Sequence, residues 1–558
     1  MTGLDRHRAN SGRAETAGLV DRGRRAYAQR AWADAYRCFR RVDEAVRLDA
    51  EDLERFASSA YLTGHDIDYL GALGRAHKAY ADAGEAARAI RCAFWIGLEH
   101  AFRGEMGPAG GWFSRAQRLL QRRDRACVEE GYLLLPLAEQ HLHAGDAGAA
   151  LSVAGRAGEI GDRFGDADLG ACARHLQGRA LLRLQRIDEG LALLDEAMTA
   201  VTVGELSPIM TGLVYCAVID ACRQVYALDR AKAWTAALSS WCAEQPQLVA
   251  FTTACLVHRA EIMRLGGAWN DAIDEASRVC GPVYEGTDLQ PSGEAFYERA
   301  EIHRLRGEYP MAEDAYRKAN QHGFEPQPGL SLLRLAQGRA ADAAAAMRRV
   351  LDAVGQPLRR SRLLPAWVEI ALALGEMEEV RRATGELREI AKAAGMPVLE
   401  AISAQAAATV ALAEGDPRSA LDSARAALAV WLQVEAPYEA ARVRTLMGLA
   451  CRALGDEDGA RMELDAACTA FRRLGAEPDL ARVGMLQSAS NEAPVPGLTS
   501  RELEVIRLVA AGKTNKAIAE ALGLSVRTID RHLANIFTKL DLPSRAAATA
   551  YAYRHNLL

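Results

Sequence analysis

Apolar and small residues recur along this chain at helical rather than strand spacing. From about residue 18 to Met485 the sequence is rich in Ala, Leu, Arg and Glu without sustained apolar–polar alternation, so almost all of it is expected to be helix. The helical stretches break at a regular beat. Turn-forming positions fall at Gly64, Gly104, Gly145, Gln185, Leu228, Gly266, Gly307, Gly338, Gly375, Gly415 and Gly455, at intervals of 37 to 43 residues apart from one of 31. Unrelated loops do not keep such a period; a solenoid of helical hairpins does, because each unit buries its apolar face against the next. With a first pair turning near Ala31-Trp32, roughly eleven to twelve hairpins are expected, wound into a superhelix with an extended concave wall. The short interval at Gly338, beside Gly323-Phe324-Glu325-Pro326-Gln327-Pro328-Gly329, marks an irregular unit and a candidate hinge.

Local phrases repeat with the same beat. Leu305-Arg306-Gly307-Glu308-Tyr309-Pro310, Leu412-Ala413-Glu414-Gly415-Asp416-Pro417 and Leu454-Gly455-Asp456-Glu457 each end one helix, turn through Gly and an acid, and start the next. Pro310 and Pro417 stand where a helix begins, where a missing N–H does no harm. After the turn a small residue precedes a large one by four: Ala35 and Phe39, Ala109 and Phe113, Ala312 and Tyr316, Ala460 and Leu464. The small residue lets two helices approach and the large one fills the neighbouring groove. This pattern resembles the tetratricopeptide-type repeat, whose usual period of about 34 would be lengthened here by longer helices. HEAT-like packing is the alternative.

The pattern changes after Met485. Residues 487–497 are polar and small with two prolines, a linker composition. Leu498 to Leu558 then open with Thr499 and Glu502 at capping-box spacing, followed by an apolar stripe of Leu503, Val505, Ile506, Leu508 and Val509 that ends at Gly512. A shorter helix fits Asn515 to Leu522, with Gly523-Leu524-Ser525 as its turn and Ser525 as the N-cap of a third helix. Two helices joined by a three-residue turn containing Gly describe a helix-turn-helix, whose second helix enters the DNA major groove. At about 100° per residue, Val526, Ile529, Leu533, Ile536, Phe537 and Leu540 gather on one side of the third helix, with Arg531 nearly opposite. Arg527, Asp530, Arg531 and Ala534 are the candidates to meet base edges, Arg being the commonest reader of guanine. Thr514, Asn515, Lys516, Ser525, Thr528, His532, Asn535 and Lys539 are the candidates to hold phosphates.

These residues carry a family resemblance. Leu498-Thr499, Arg501-Glu502, Glu504-Val505, Ala511-Gly512, Thr514-Asn515-Lys516, Ile518-Ala519, Leu522, Ser525, Thr528-Ile529, His532, Asn535-Ile536, Lys539-Leu540 and Ser544-Arg545 together resemble the LuxR-type helix-turn-helix domain over a whole four-helix module. The resemblance implies that the third helix recognises DNA and that the fourth, from Arg545 to about Arg554, pairs with its copy in a dimer. Many members carry Lys where this chain has Asp530, which either accepts from a cytosine N4 or pairs with Arg527. A repeat array ahead of such a module is similar to the large MalT-like regulators. Ala436-Pro437-Tyr438-Glu439-Ala440-Ala441-Arg442 and Gly475-Ala476-Glu477-Pro478-Asp479-Leu480-Ala481-Arg482 look like phrases of actinobacterial members. Those regulators carry an ATPase domain before the repeats, and none is expected here.

Charge supports the division. The chain's net −5 separates into +4 from Leu498 onward and −9 before it, the asymmetry expected if only the terminus meets phosphate. Residues 1–17 are polar and lack a signal peptide's apolar core, and no apolar run approaches the ~18 residues of a membrane span. A cytoplasmic protein is expected. The eleven cysteines stand singly and read as small core residues, with redox sensing as the minor alternative. Gly512-Lys513-Thr514 imitates the end of a P-loop, but the required preceding Gly is Arg507. His141 and His143 stand two apart, a step that does not put two ligands on one helix face. Neither a metal, a cofactor nor an enzymatic reaction is expected. Between Ser207 and Glu261, Tyr215, Trp234, Trp241, His258, Arg259 and Glu261 are either interlocking core or a ligand wall, core being favoured.

The expectation is therefore an all-α chain: a polar segment (1–17), a superhelical solenoid of tetratricopeptide-like hairpins serving as sensor or protein-docking region (18–486), a linker (487–497) and a four-helix LuxR-type helix-turn-helix domain (498–558). Its expected role is transcription regulation as a homodimer on double-stranded DNA. RNA polymerase and a ligand or protein on the repeats are further candidate partners. A repeat scaffold whose terminal module does no regulatory work is the alternative.

Overall fold

The computed structural model describes residues 3–123, 125–245, 247–280, 292–490, 498–555 and 557. Helices account for all the regular structure among them, and no strand is present. Twelve hairpins follow one another between Gly3 and Leu474, with a last repeat helix, Glu477–Ser490, packed on the twelfth. The fifth hairpin, Ala167–Arg183 with Ile187–Val203, shows why the period is near 40: each helix has 17 residues, and short connections complete the unit. The interval of 31 also has a simple cause, since the first helix of the ninth hairpin, Gly329–Ala336, has only 8 residues.

Every hairpin turns through one residue in the left-handed region, which halts the helix and lets the next one start at once. Glycine fills this position at Gly64, Gly104, Gly145, Gly307, Gly338, Gly375, Gly415 and Gly455. Gln185 takes it without glycine, at φ 62°. Two expected positions are displaced. In the sixth hairpin the left-handed residue is Tyr226 (φ 61°), and Leu228 instead opens the helix Leu228–Ala243; in the seventh it is Gly267 rather than Gly266. Where no lone glycine marks the turn, the sequence does not separate neighbours one or two residues apart.

The small-then-large rhythm has a partner sixteen residues upstream. Phe39 seats against Gly23, Phe113 against Gly97, Leu194 against Gly178 and Leu464 against Gly448; a Cβ on any of these glycines would lie 2.6 to 3.0 Å from that side chain. The larger residue of the second helix thus occupies the space that a side chain on the first would need. At Gly178 the nearest backbone is also only 2.9 Å away, the carbonyl of Gly190. Gly178→Val is expected to destabilise the repeat region by about 1–3 kcal/mol through overpacking. A denaturation midpoint equal to that of the parent protein would contradict this packing.

Successive superhelical turns touch. Val249 and Ala250 donate from the backbone to Leu62 O at 2.9 and 3.1 Å, and Trp32 Nε1 donates to Gln245 Oε1 at 3.0 Å across 213 positions. Further on, Trp269, Ile302 and Leu305 share a core with Ala441, Leu464 and Phe471. A solenoid held only by nearest neighbours would lack such contacts; here they set the pitch.

The stretch read as linker divides. Residues 487–490 continue the last repeat helix, with Gln487 Nε2 bonded to Asp465 Oδ1 at 2.7 Å, and 491–497 lie outside the described residues. Beyond them come Ser500–Ala510, Asn515–Leu522, Val526–Lys539 and Arg545–Arg554. Their core, built on Val505, Ile506, Ile518, Ile529 and Ile536, draws every member from Leu498–Leu557.

Candidate nucleic-acid interface

The terminal module is assembled from caps. Thr499 N donates to Glu502 Oε2 at 2.8 Å while Glu502 N donates to Thr499 Oγ1 at 3.2 Å, a reciprocal capping box. Thr514 and Ser525 cap the next two helices by accepting from Ala517 N and Thr528 N. Gly523 (φ 65°) ends the second helix in the left-handed conformation and turns the chain into the third. These caps fix where each helix starts, and so the angle at which the third is presented.

Val526–Lys539 is strongly two-faced. Ile529, Leu533 and Ile536 are buried, while Arg527, Asp530, Arg531, Ala534 and Asn535 are exposed and Thr528 and His532 half-buried. Val526, expected on the apolar side, is instead 44% exposed, because it stands at the helix start before the core closes. On the second helix Thr514 and Lys516 are exposed and Asn515 half-buried.

The cations divide into two sets. Arg501 donates to Leu522 O at 2.6 Å and Lys539 to Glu502 Oε2 at 2.7 Å, each tying one helix to another, and Arg507 donates to Leu557 O at 2.7 Å, tying the first helix to the stretch after the fourth. Burial pushes the Glu502 carboxyl up, but Lys539 and the Thr499 N–H and hydroxyl outweigh it and hold the group below its ordinary value. Asp530 Oδ1 accepts from Asn515 Nδ2 at 2.7 Å, and Asn515 Oδ1 accepts from Arg545 at 2.6 Å, a chain through the second, third and fourth helices. Asp530 therefore has Asn515, not Arg527, as its partner. Lys513, Lys516, Arg527 and Arg531, together with Arg554 at the end of the fourth helix, form the second set: among the described residues none has an ion-pair or hydrogen-bond partner for its side chain. The Asp530–Asn515–Arg545 chain had no sequence signal, since its members stand 15 and 30 residues apart.

The aromatic stretch before Glu261 is mostly interior. Tyr215, Trp234 and Trp241 belong to or pack on one core cluster. His258 is buried 3.1 Å from Arg223 Nη1, and burial, with the Arg223 charge, pulls its pKa down to about 4. The eleven cysteines are free and buried or half-buried. No helix among the described residues is long and apolar enough to cross a membrane.

Short capped helices, a glycine turn and an amphipathic third helix with its cations outward define the module as a helix-turn-helix domain. It is a LuxR-type one: residues 496–552 match the family described as bacterial regulatory proteins, luxR family. The transcriptional regulatory protein LiaR of Bacillus subtilis (strain 168) is 45% identical over 71 residues, which are 13% of this chain and 34% of LiaR. The response regulator protein VraR of Staphylococcus aureus (strain Mu3 / ATCC 700698) is 41% identical over 61 residues, 11% of this chain and 29% of VraR. The chain thus spans about a third of the length of the curated relatives it matches. Among solved structures, that described as the crystal structure of the APC/C hetero-tetramer Cut9-Hcn1 aligns with 88% of this chain and 94% of its own at 12% identity and a TM-score of 0.42, too distant a likeness to carry an argument.

Proposed function

We propose that the chain is a cytoplasmic transcription regulator whose terminal module reads double-stranded DNA under the control of the helical repeats. The observation that supports this best is the division of charge. Cations that hold the module together are bonded internally, whereas Lys513, Lys516, Arg527 and Arg531, on the second and third helices and the turn before them, have no side-chain partner among the described residues. In this reading Arg527 and Arg531 address base edges, with Ala534 leaving room for close approach. Lys516, Thr514, Ser525, Thr528, His532 and Asn535 hold phosphates, which set register without reading sequence. Asn515, Asp530 and Lys539 act mainly by fixing the helices to one another. The fourth helix buries Ala548 and Ala552 and leaves Ala546, Ala550 and Tyr553 outward, a surface for a second copy. Two copies would then meet half-sites about one DNA turn apart.

Selection from random duplex DNA tests the assignment. Arg531→Ala is expected to cost about 1–3 kcal/mol at the base it reads and to relax the motif at that position. An unchanged motif from the variant would remove Arg531 from the reading set.

A further inference from the structure

The superhelix borders a half-open cavity of about 1240 Å³ between its fifth to seventh and its later hairpins. That is larger than the ~300–1,000 Å³ of ordinary small-molecule sites. Much of its charge is already neutralised: Arg223 pairs with Glu261 and with Glu294 (2.7 Å), Arg264 with Glu298 (2.6 Å), and Arg442 with Glu369 and with Glu439 (3.4 Å).

Three arginines on the same wall are different. Arg183, from the end of Ala167–Arg183, and Arg359 and Arg362, from the start of Pro357–Ala373, have no carboxylate within ion-pair distance among the described residues. Arg183 donates only to Leu142 O at 3.3 Å, and Arg362 donates to Arg223 O at 2.7 Å with its guanidinium 5.8 Å from the Tyr226 ring centre. Glu261 feels the Arg362 charge but is bonded to Arg223. Lys232, also on the wall, donates to Val434 O at 2.9 Å, and Glu325 is the one lining carboxylate without an ion-pair partner among the described residues.

The position of these cations is itself unfavourable. Arg359 and Arg362 stand in the first two turns of a helix that has no acid in its first turn, where the macrodipole disfavours positive charge. Arg183 is half-buried, and burial together with the nearby charges of Arg359 and Arg179 draws its pKa down. Around them the wall is apolar, formed by Leu182, Val225, Val354 and Leu358. Arg183 is only half-buried and Arg359 and Arg362 are exposed, so all three guanidinium groups can reach an anion entering the cavity, and a carboxylate or phosphate would satisfy them through charge-assisted, bidentate bonds. Buried Gln185 Oε1 on the same wall also lacks a hydrogen-bond partner, leaving an acceptor for a ligand hydroxyl or amine.

The geometry points to a binding site inside the superhelix for a small molecule that carries one carboxylate- or phosphate-type anion on an apolar body, its anion held by Arg183, Arg359 and Arg362. This site goes beyond DNA reading and does not depend on it. The full-length protein can be titrated with anilinonaphthalene sulfonate, an apolar fluorescent body bearing one anion, and with phenylnaphthylamine, the same body without it. The sulfonate dye is expected to bind saturably at one site per chain, at least about ten-fold more tightly than the neutral dye. Arg359 is exposed and has no partner to strand, so Arg359→Gln should leave the fold intact, weaken the sulfonate dye about ten-fold and leave the neutral dye unchanged. Arg183→Gln, checked for an unaltered helical spectrum, should act in the same direction. Octanoate and octyl phosphate then separate a carboxylate from a phosphate site by which displaces the dye better, and either should outcompete octanol. Equal affinity for both dyes, no loss in Arg359→Gln, or displacement by octanol as effective as by the anions would overturn the site.

Discussion

Affinity of the full-length protein for duplex DNA is expected to fall by about 10³–10⁵ between about 50 and about 200 mM salt, the loss that accompanies roughly 6–10 neutralised phosphates. Lys513, Lys516, Arg527 and Arg531 have no side-chain partner among the described residues, so their counterion shells and those on the DNA are released together when the two meet. Two copies present roughly eight such cations, within the range that produces this slope. The repeats contribute little attraction, since residues before Leu498 carry a net −9. Fluorescence anisotropy with labelled duplex at several salt concentrations measures the slope directly. If the chain does not bind DNA at low salt, or binds with no dependence on salt, the repeat-scaffold reading replaces transcription regulation.

The second large effect lies in the repeats. Arg264→Ala is expected to destabilise them by about 3–5 kcal/mol, because it strands a buried carboxylate. Arg264, in Thr252–Leu265, bonds Glu298 in Gly293–Arg306 at 2.6 Å, and Glu298 is 3% exposed. Burial pushes the Glu298 carboxyl up, and Arg264 opposes that rise. A carboxyl whose folded pKa lies above its unfolded value costs stability at high pH and nothing once both states are protonated. The defect in Arg264→Ala should therefore shrink as pH falls toward the ordinary carboxylate range. Replacing both partners, Arg264→Met with Glu298→Leu, should recover most of the loss, since neither charge is then left unpaired. Denaturation midpoints of the parent and the two variants at neutral and mildly acidic pH suffice. A single variant as stable as the parent would show that the pair holds nothing together.

Much of the architecture was legible from spacing. Gly64, Gly104, Gly145, Gly307, Gly338, Gly375, Gly415 and Gly455 locate hairpin turns because a helix that stops in the left-handed conformation favours glycine, and that preference is written one residue at a time. Tyr226 adopts the same conformation without glycine, so spacing alone puts its turn two residues late, at Leu228. The terminal module was legible for a related reason. Its caps at Thr499 and Ser525 act within three residues of themselves, and the two faces of Val526–Lys539 follow from helical period alone.

Other features have no local signature. That Asp530 meets Asn515, that Gly178 lies against Gly190, and that Trp32 meets Gln245 are results of how helices pack, across 15, 12 and 213 positions. The cavity is the extreme case: Arg183 and Arg359 belong to the fifth and tenth hairpins and come together only because the superhelix winds back on itself. Three arginines at positions 359, 360 and 362 at a helix start were the one visible hint. Residue spacing settles helices, caps and turns, since those rest on interactions a few residues long. Pitch, and with it the wall that gathers arginines without a carboxylate partner among the described residues, is set by side-chain fit between distant helices, which no local pattern encodes.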